Sequence, residues 1–162
     1  LYRDKPVADW DIREDGRIIG VTEELSAQEI YEMGRKVEPF QIASATRMGH
    51  IHLTVRDSQA TSAFYQKVLD LSDKFTIPSA SWIASGDYHH HLAVNEWGGK
   101  HLAKREAQLP GLAYYVVHVE KKEDLVAIAK RAKEQGAPVT WLTSAELEFT
   151  DPDGIVTCVR KS

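Results

Sequence analysis

A strand–helix–strand–strand–strand unit that occurs twice, pairing into one α+β domain, is the fold class this sequence predicts. Three observations carry it. Two β-rich runs, His50–Val55 and Leu112–Val119, are each followed by apolar residues at helical spacing. Each helix pattern is then followed by three short strand candidates separated by turn residues. The two units take residues 48–97 and 111–161, and neither can bury its helix and its sheet face alone. They are expected to share one core, the mixed sheet curling into a half-barrel with helices on its flank.

In the first unit the run His50-Ile51-His52-Leu53-Thr54-Val55 ends at Arg56-Asp57. Asp57 or Ser58 opens a helix over 58–69, with Ala63, Phe64, Val68 and Leu69 on its apolar side. Strands are predicted at Lys74–Ile77, Ser81–Ser85 and His89–Asn95, and Gly86-Asp87 signals a hairpin turn between the last two. Gly98-Gly99 and a polar stretch to Pro110 separate the units. In the second unit a helix over 124–134 presents Leu125, Ile128, Ala129 and Ala132 on one face. Gly136-Ala137-Pro138 stops it, with glycine at the C′ position. Strands follow at Val139–Leu142, Leu147–Thr150 and Ile155–Arg160, with the turn Asp151-Pro152-Asp153-Gly154 before the last. Upstream, residues 1–47 read as a linker with one short helix, opened by the capping box Ser26-Ala27-Gln28-Glu29 and running to about Lys36.

Composition narrows the function. The chain has 162 residues, 43% hydrophobic and 27% charged, which is ordinary for a globular domain. A net charge of -4 argues against a nucleic-acid partner, whose phosphates require a basic face. No apolar run reaches the ~20 residues of a membrane-spanning helix. The single cysteine, Cys158, cannot form an internal disulfide and fits a reducing compartment, so a cytoplasmic location is expected.

The chemistry concentrates in histidines. Strand alternation places His50 and His52 on one face, with Leu53 and Val55 on the other. In His89-His90-His91 the same rule sets His90 on the face of Leu92 and the two neighbours opposite. If the sheet curls, His50 and His90 converge. Neutral imidazoles on strands suit a divalent metal ion such as Fe, Mn or Zn, with open positions for a chelating substrate. An imidazole's unperturbed pKa, about 6.5, also suits the movement of a proton near neutrality.

Met48-Gly49-His50-Ile51-His52-Leu53-Thr54-Val55-Arg56-Asp57 with Phe64-Tyr65-Gln66-Lys67-Val68-Leu69, the run Gly86–Asn95, and Phe149-Thr150-Asp151-Pro152-Asp153-Gly154 together resemble the vicinal oxygen chelate superfamily. This is the superfamily of glyoxalases, bleomycin-resistance proteins and extradiol dioxygenases. The resemblance is to the C-terminal module of a two-module bacterial catechol 2,3-dioxygenase-like protein. It implies the glyoxalase/extradiol dioxygenase fold and a metal-dependent, ring-cleaving activity on an aromatic diol. Leu1-Tyr2-Arg3-Asp4-Lys5-Pro6 is similar to the end of a preceding module, making residues 1–47 the remnant of an upstream one.

The resemblance also implies a ligand set: a histidine on the first strand, a histidine on the matching strand of the second unit, and a glutamate on the last strand. His50 matches the first, but Tyr114 and Cys158 fall at the other two. The acid/base histidine of the family matches His90. Two arrangements remain open for a metal: His50 and His90 with Cys158 as thiolate and Tyr114 as an oxygen ligand, or His50 and His90, with or without His52, and no cysteine. A glyoxalase-type isomerase or lyase is the second functional reading. A metal-free module binding an antibiotic-like small molecule is the third.

Each residue also has a plainer reading. His50 and His52 would be hydrogen-bonded strand histidines, and His89–His91 an edge strand with one imidazole turned in. Cys158 would be a small buried hydrophobe, and Tyr114 and Tyr115 strand packing. Trp82, Trp97 and Trp141 would be core or rim residues, Glu146 and Glu148 solvated strand glutamates, and the Asp-Pro-Asp-Gly segment simply a turn. The expected partners are a small aromatic or carbonyl substrate and, through exchange or stacking of half-barrels, a second copy of the chain or an upstream module.

Overall fold

A computed structural model describes residues 7–20, 26–34, 39, 41–42, 44, 46, 48–99, 101–103, 106 and 108–162. The chain divides into two compact units, 1–49 and 50–162. In the first, a 3-10 turn at Val7–Asp9 precedes strands β1 (Asp11–Ile12) and β2 (Ile18–Ile19), which pair antiparallel. The turn between them is held by Asp15, whose carboxylate accepts from both the backbone N–H and the Nε of Arg17. Helix α1 covers Ala27–Met33, and Ser26 caps it by accepting from the Glu29 N–H at 3.4 Å. Residues 1–6 and 35–38, where the sequence places a module end and the end of this helix, lie outside the described residues.

Residues 50–162 contain the doubled motif. Its first half is β3 (Ile51–Thr54), α2 (Ser58–Leu69), β4 (Ser72–Ile77), β5 (Ala80–Ala84) and β6 (Leu92–Asn95). The second is β7 (Tyr115–Val119), α3 (Lys122–Glu134), β8 (Val139–Thr143), β9 (Glu146–Thr150) and β10 (Val156–Lys161). The eight strands form two four-stranded mixed sheets of identical topology, β3-β6-β5-β4 and β7-β10-β9-β8. In each, the first strand of the half pairs parallel with the last, and the other pairs are antiparallel. The α+β class and its doubled motif therefore stand.

Local chemistry explains the helix limits. Asp57 is the N-cap of α2 and accepts from the Ala60 N–H at 2.9 Å. Its far end closes on Asp70, which adopts the left-handed conformation at φ 57° that aspartate tolerates better than most residues. Helix α3 ends in a complete Schellman motif: Gly136 at φ 76° donates to the Lys133 carbonyl, and Ala137 donates to that of Ala132.

Both halves share one core. Leu53, Val55, Phe64, Tyr65, Val68, Ile83, Leu92 and Val94 from the first join Leu125, Ile128, Ala129, Ala132, Leu147, Phe149 and Val159 from the second. The helices pack on each other, α2 against β5 and β6 and α3 against β9 and β10. Each sheet thus has one face turned to the helices and one turned away.

The turn Asp151-Pro152-Asp153-Gly154 does more than reverse the chain. Asp151 Oδ1 accepts from the backbone N–H groups of Asp153 and Ile155, which forms the turn itself. Its Oδ2 accepts from the buried Tyr65 hydroxyl at 2.8 Å. Asp153 accepts from Arg56 Nε at 2.6 Å and from Thr61 Oγ1 at 3.1 Å. Two carboxylates of the second half therefore clamp α2 and the end of β3 in the first half. Turn chemistry alone does not require either carboxylate to be buried; Asp151 and Asp153 are 4% and 7% exposed.

Burial, more than any other influence, raises the Asp151 carboxyl above its ordinary pKa, against the lowering by its hydrogen bonds. The folded state then holds a proton that the unfolded state has already released. Its stabilising share is complete below the ordinary carboxylate range and declines as pH rises toward the elevated value. Asp151→Asn should therefore gain stability relative to the parent chain as pH rises through this window and then level off, measured by urea unfolding at a series of pH values. Tyr65→Phe, which removes a donor from a buried carboxylate, should cost about 1–3 kcal/mol in the same assay.

Candidate metal centre

Strand β3 must bury Leu53 and Val55 against the helices, so His50, His52 and Thr54 turn to the far face. The strand is held along β6 by Ile51 N–H donating to the His91 carbonyl and Val55 N–H donating to that of Asn95. Register across the far face places His52 beside Ala93, Ala93 beside Trp82, and Trp82 beside Phe75. This row runs from an imidazole, over a small residue, to two aromatic rings whose centroids are 5.3 Å apart. Trp97 stands 6.4 Å from Trp82 and remains 57% exposed.

The loop 85–91 supplies the other histidines. Regular pairing of β6 begins only at Leu92, so of the strand predicted over His89–Asn95 the part Leu92–Asn95 forms, and the alternation assumed for residues 89–91 does not hold. Leu92 enters the core, whereas His90 lies with His52 on the far face; the expectation that His90 shares a face with Leu92 is thereby corrected. A glycine at φ 62°, Gly86, turns the chain out of β5, and His91 N–H donates back to the Ile83 carbonyl. Ser85 N–H donates to His91 Nδ1 at 3.2 Å. The loop is therefore folded back over the sheet, carrying His89 and His90 inward.

The imidazoles meet closely. His52 Nε2 and His90 Nε2 are 3.0 Å apart, and the His50 and His90 rings have centroids 4.2 Å apart. One ligand nitrogen from each of His50, His52 and His90 falls within 4.8 Å of the others. His89 adds a Nδ1–Nδ1 contact of 2.7 Å to His90 and a ring contact with His50 at 5.3 Å. Sequence reasoning singled out His50, His90 and His52 and missed His89, because alternation had turned it away. Burial, and then the charge of His89, lowers the pKa of His52. That favours the neutral imidazole a metal requires.

Cys158 is not a member of this group. Cys158 lies on β10 of the second sheet, beside Val116 and Glu148. Its thiol donates to Glu146 Oε1 at 3.0 Å, and burial followed by that carboxylate pushes it up to about 11. Tyr114 is exposed just before β7 of the same sheet. Of the two arrangements, the group of imidazoles brought together here is the one without the cysteine. Glu146 is not simply solvated: Arg160 pairs with it at 2.6 Å.

The three imidazoles fit a borderline divalent metal. Nitrogens at about 2.1 Å from a tetrahedral ion stand about 3.4 Å apart, a spacing between the contacts present here. Among the described residues no carboxylate belongs to the group. A cleft of about 440 Å³ reaches it, lined by His52, Thr54, Arg56, Leu102, Leu109 and Leu112 among others. The connector after β6 crosses close to Thr54: a Cβ at Gly98 would stand 2.7 Å from Thr54 Cγ2, so only glycine fits without displacement.

The family profile described as Glyoxalase/Bleomycin resistance protein/Dioxygenase superfamily matches residues 47–159. The chain belongs to this superfamily. It is 30% identical to a catechol-2,3-dioxygenase of Bacillus subtilis (strain 168) over 138 residues, 84% of this chain and 48% of the relative. The chain thus spans about half the length of that curated relative. Among solved structures it is similar to a glyoxylase/bleomycin resistance protein/dioxygenase domain from Frankia sp. EAN1pec. There the TM-score is 0.57 at 24% identity, covering 74% of this chain and 99% of the other. It is also similar to a lactoylglutathione lyase from Agrobacterium tumefaciens, with a TM-score of 0.54 at 16% identity, covering 74% and 96%. These structural likenesses are evidence of superfamily fold. No described helix is long and apolar enough to cross a membrane.

Two outcomes follow. Cys158→Ser should leave metal stoichiometry by elemental analysis unchanged, and the Cys158 thiol should react with a disulfide reagent only on unfolding. In chelator-treated protein the lowered pKa of His52 means the unfolded state binds the extra proton first. Stability should therefore fall as pH drops below about 6.5, and His52→Gln should flatten that fall in thermal melts.

Proposed function

We propose that this superfamily member is a metal-dependent module of extradiol, ring-cleaving dioxygenase type, acting on a small aromatic diol. The observation that carries the reading is the convergence of His50, His52 and His90 on one sheet face beside an accessible cleft. The catechol-2,3-dioxygenase relative supports the substrate class. His50, His52 and His90 would hold the ion; when bound, a divalent metal supplies Lewis acidity and neighbouring positions for two adjacent oxygens. Fe, Mn and Zn are the candidates, and the all-imidazole donor set suits Fe or Zn better than Mn.

The chain's own residues do the rest. The cleft presents Leu102, Leu109 and Leu112 to the body of a ligand and His52 to its polar end. On the same sheet face Phe75 and Trp82 offer two apolar rings, tilted by 35° to each other, beyond Ala93. Arg56, fixed by Asp153 at 2.6 Å, lines the cleft together with that carboxylate as an ion pair. A homodimer is part of this proposal: Tyr114, Trp141 and Leu142 of the second half are large, apolar and exposed, which supports burial against another copy.

The test begins with elemental analysis of untagged protein purified without added metal, beside His50→Ala, His52→Ala and His90→Ala. Near-stoichiometric metal in the parent, reduced at least tenfold in every variant, is expected, together with dioxygen uptake on catechol. Turnover of a glutathione–methylglyoxal adduct instead would move the reading to a glyoxalase-type isomerase. Ligand binding by the parent chain with no metal at all would overturn the metal reading. Light scattering should give a dimer; a monomer at every concentration would overturn that part.

A further inference from the structure

We propose that His89 is a positioning residue that sets the tautomer of His90 and so presents its Nε2 lone pair to the metal. The inference rests on the all-imidazole reading of the centre and deepens it. A neutral imidazole carries one N–H and one lone pair. His90 is engaged at both nitrogens: Nδ1 is 2.7 Å from His89 Nδ1, and Nε2 is 3.0 Å from His52 Nε2. Only one proton can occupy each contact. If His90 is to offer Nε2 to a metal, its proton must sit on Nδ1 and be donated to His89. His89 must then accept at Nδ1 and carry its own proton on Nε2. The contact thus couples the two rings, and one direction of it leaves His90 Nε2 unprotonated.

The loop fixes His89 for this task. Tyr88 lies between two histidine rings, with centroids 4.2 Å from His89 and 4.8 Å from His91. His91 is in turn anchored by its backbone N–H on Ile83 and by Ser85 N–H on its Nδ1. His89 is half-buried and His90 is 9% exposed, so water competes poorly for the contact. Three consecutive histidines therefore divide the work: His91 anchors the loop, His90 faces the centre, and His89 orients His90. Outer partners of this kind commonly change metal affinity by about 10- to 100-fold when removed.

The test is titration of chelator-treated full chain with Co²⁺, read by its visible absorption and by the fitted dissociation constant. His89→Phe keeps a ring against Tyr88 but has no acceptor; His89→Asn supplies a carbonyl acceptor without the ring. The expected result is weakening of about 10- to 100-fold with altered band positions for His89→Phe, and affinity nearer the parent for His89→Asn. His91→Ala serves as the loop control and should weaken Co²⁺ less than His89→Phe. Parent-like affinity and spectrum in His89→Phe, with binding abolished in His90→Ala, would overturn the positioning role and leave the metal reading intact. Equal weakening in His89→Asn and His89→Phe would overturn that role in the same way. Absence of Co²⁺ binding by the parent chain would overturn both.

Discussion

The strict alternation of β3 is the constraint from which the rest of the site descends. Leu53 and Val55 are 4% and 1% exposed because α2 and α3 need that face of the sheet to close the shared core. Once those two side chains are committed, the strand's period of two leaves His50, His52 and Thr54 no choice but the opposite face. A one-residue slip against β6 would put the histidines into hydrocarbon and the leucine into the cleft. The burial energy of the core and the position of the imidazoles are therefore the same specification.

A second level of control comes from carboxylates remote from the histidines. Asp151 and Asp153 belong to a turn in the second half, yet their acceptors are filled by Tyr65, Thr61 and Arg56 of the first. Unlike apolar contacts, these bonds are directional, and each has lost water in forming. Loss of one partner leaves a charge uncompensated, so the two halves are fixed in register as well as in proximity. Arg56 is bound in this way next to the end of β3, which ties the cleft to the geometry of the opposite half.

Much of this was legible in the sequence, for reasons that differ by residue. The element order was visible because periodicity and turn chemistry are local: Asp57 opens α2 and Gly136 closes α3 as their types predict. His50 and His52 were placed on one face by alternation, and the structure has them so. His90 was singled out, but by an alternation that does not apply: residues 85–91 form a folded loop, whose path depends on the Tyr88 stack and the His91 anchors. His89 was missed for that reason. Tyr114 and Cys158 were assigned by position relative to a family pattern, and they occupy the other sheet, where Cys158 is engaged by Glu146. The Asp-Pro-Asp-Gly turn was recognised, while its long-range bonds to Tyr65 and Arg56 lie outside what a short window can contain.

The two halves share a topology but carry unequal obligations. Every imidazole of the histidine group belongs to the first, on β3, at the residue before it, or in the loop before β6. Duplicated architecture ordinarily ties the fate of corresponding positions together; here the symmetry is kept by the backbone and abandoned by the side chains. Among the described residues the second sheet adds no histidine, cysteine or carboxylate to this group. An exposed residue such as Thr140 answers only to the stability of its strand, whereas His50 and His52 answer to the site as well. One topology thus serves two halves whose side chains have different duties.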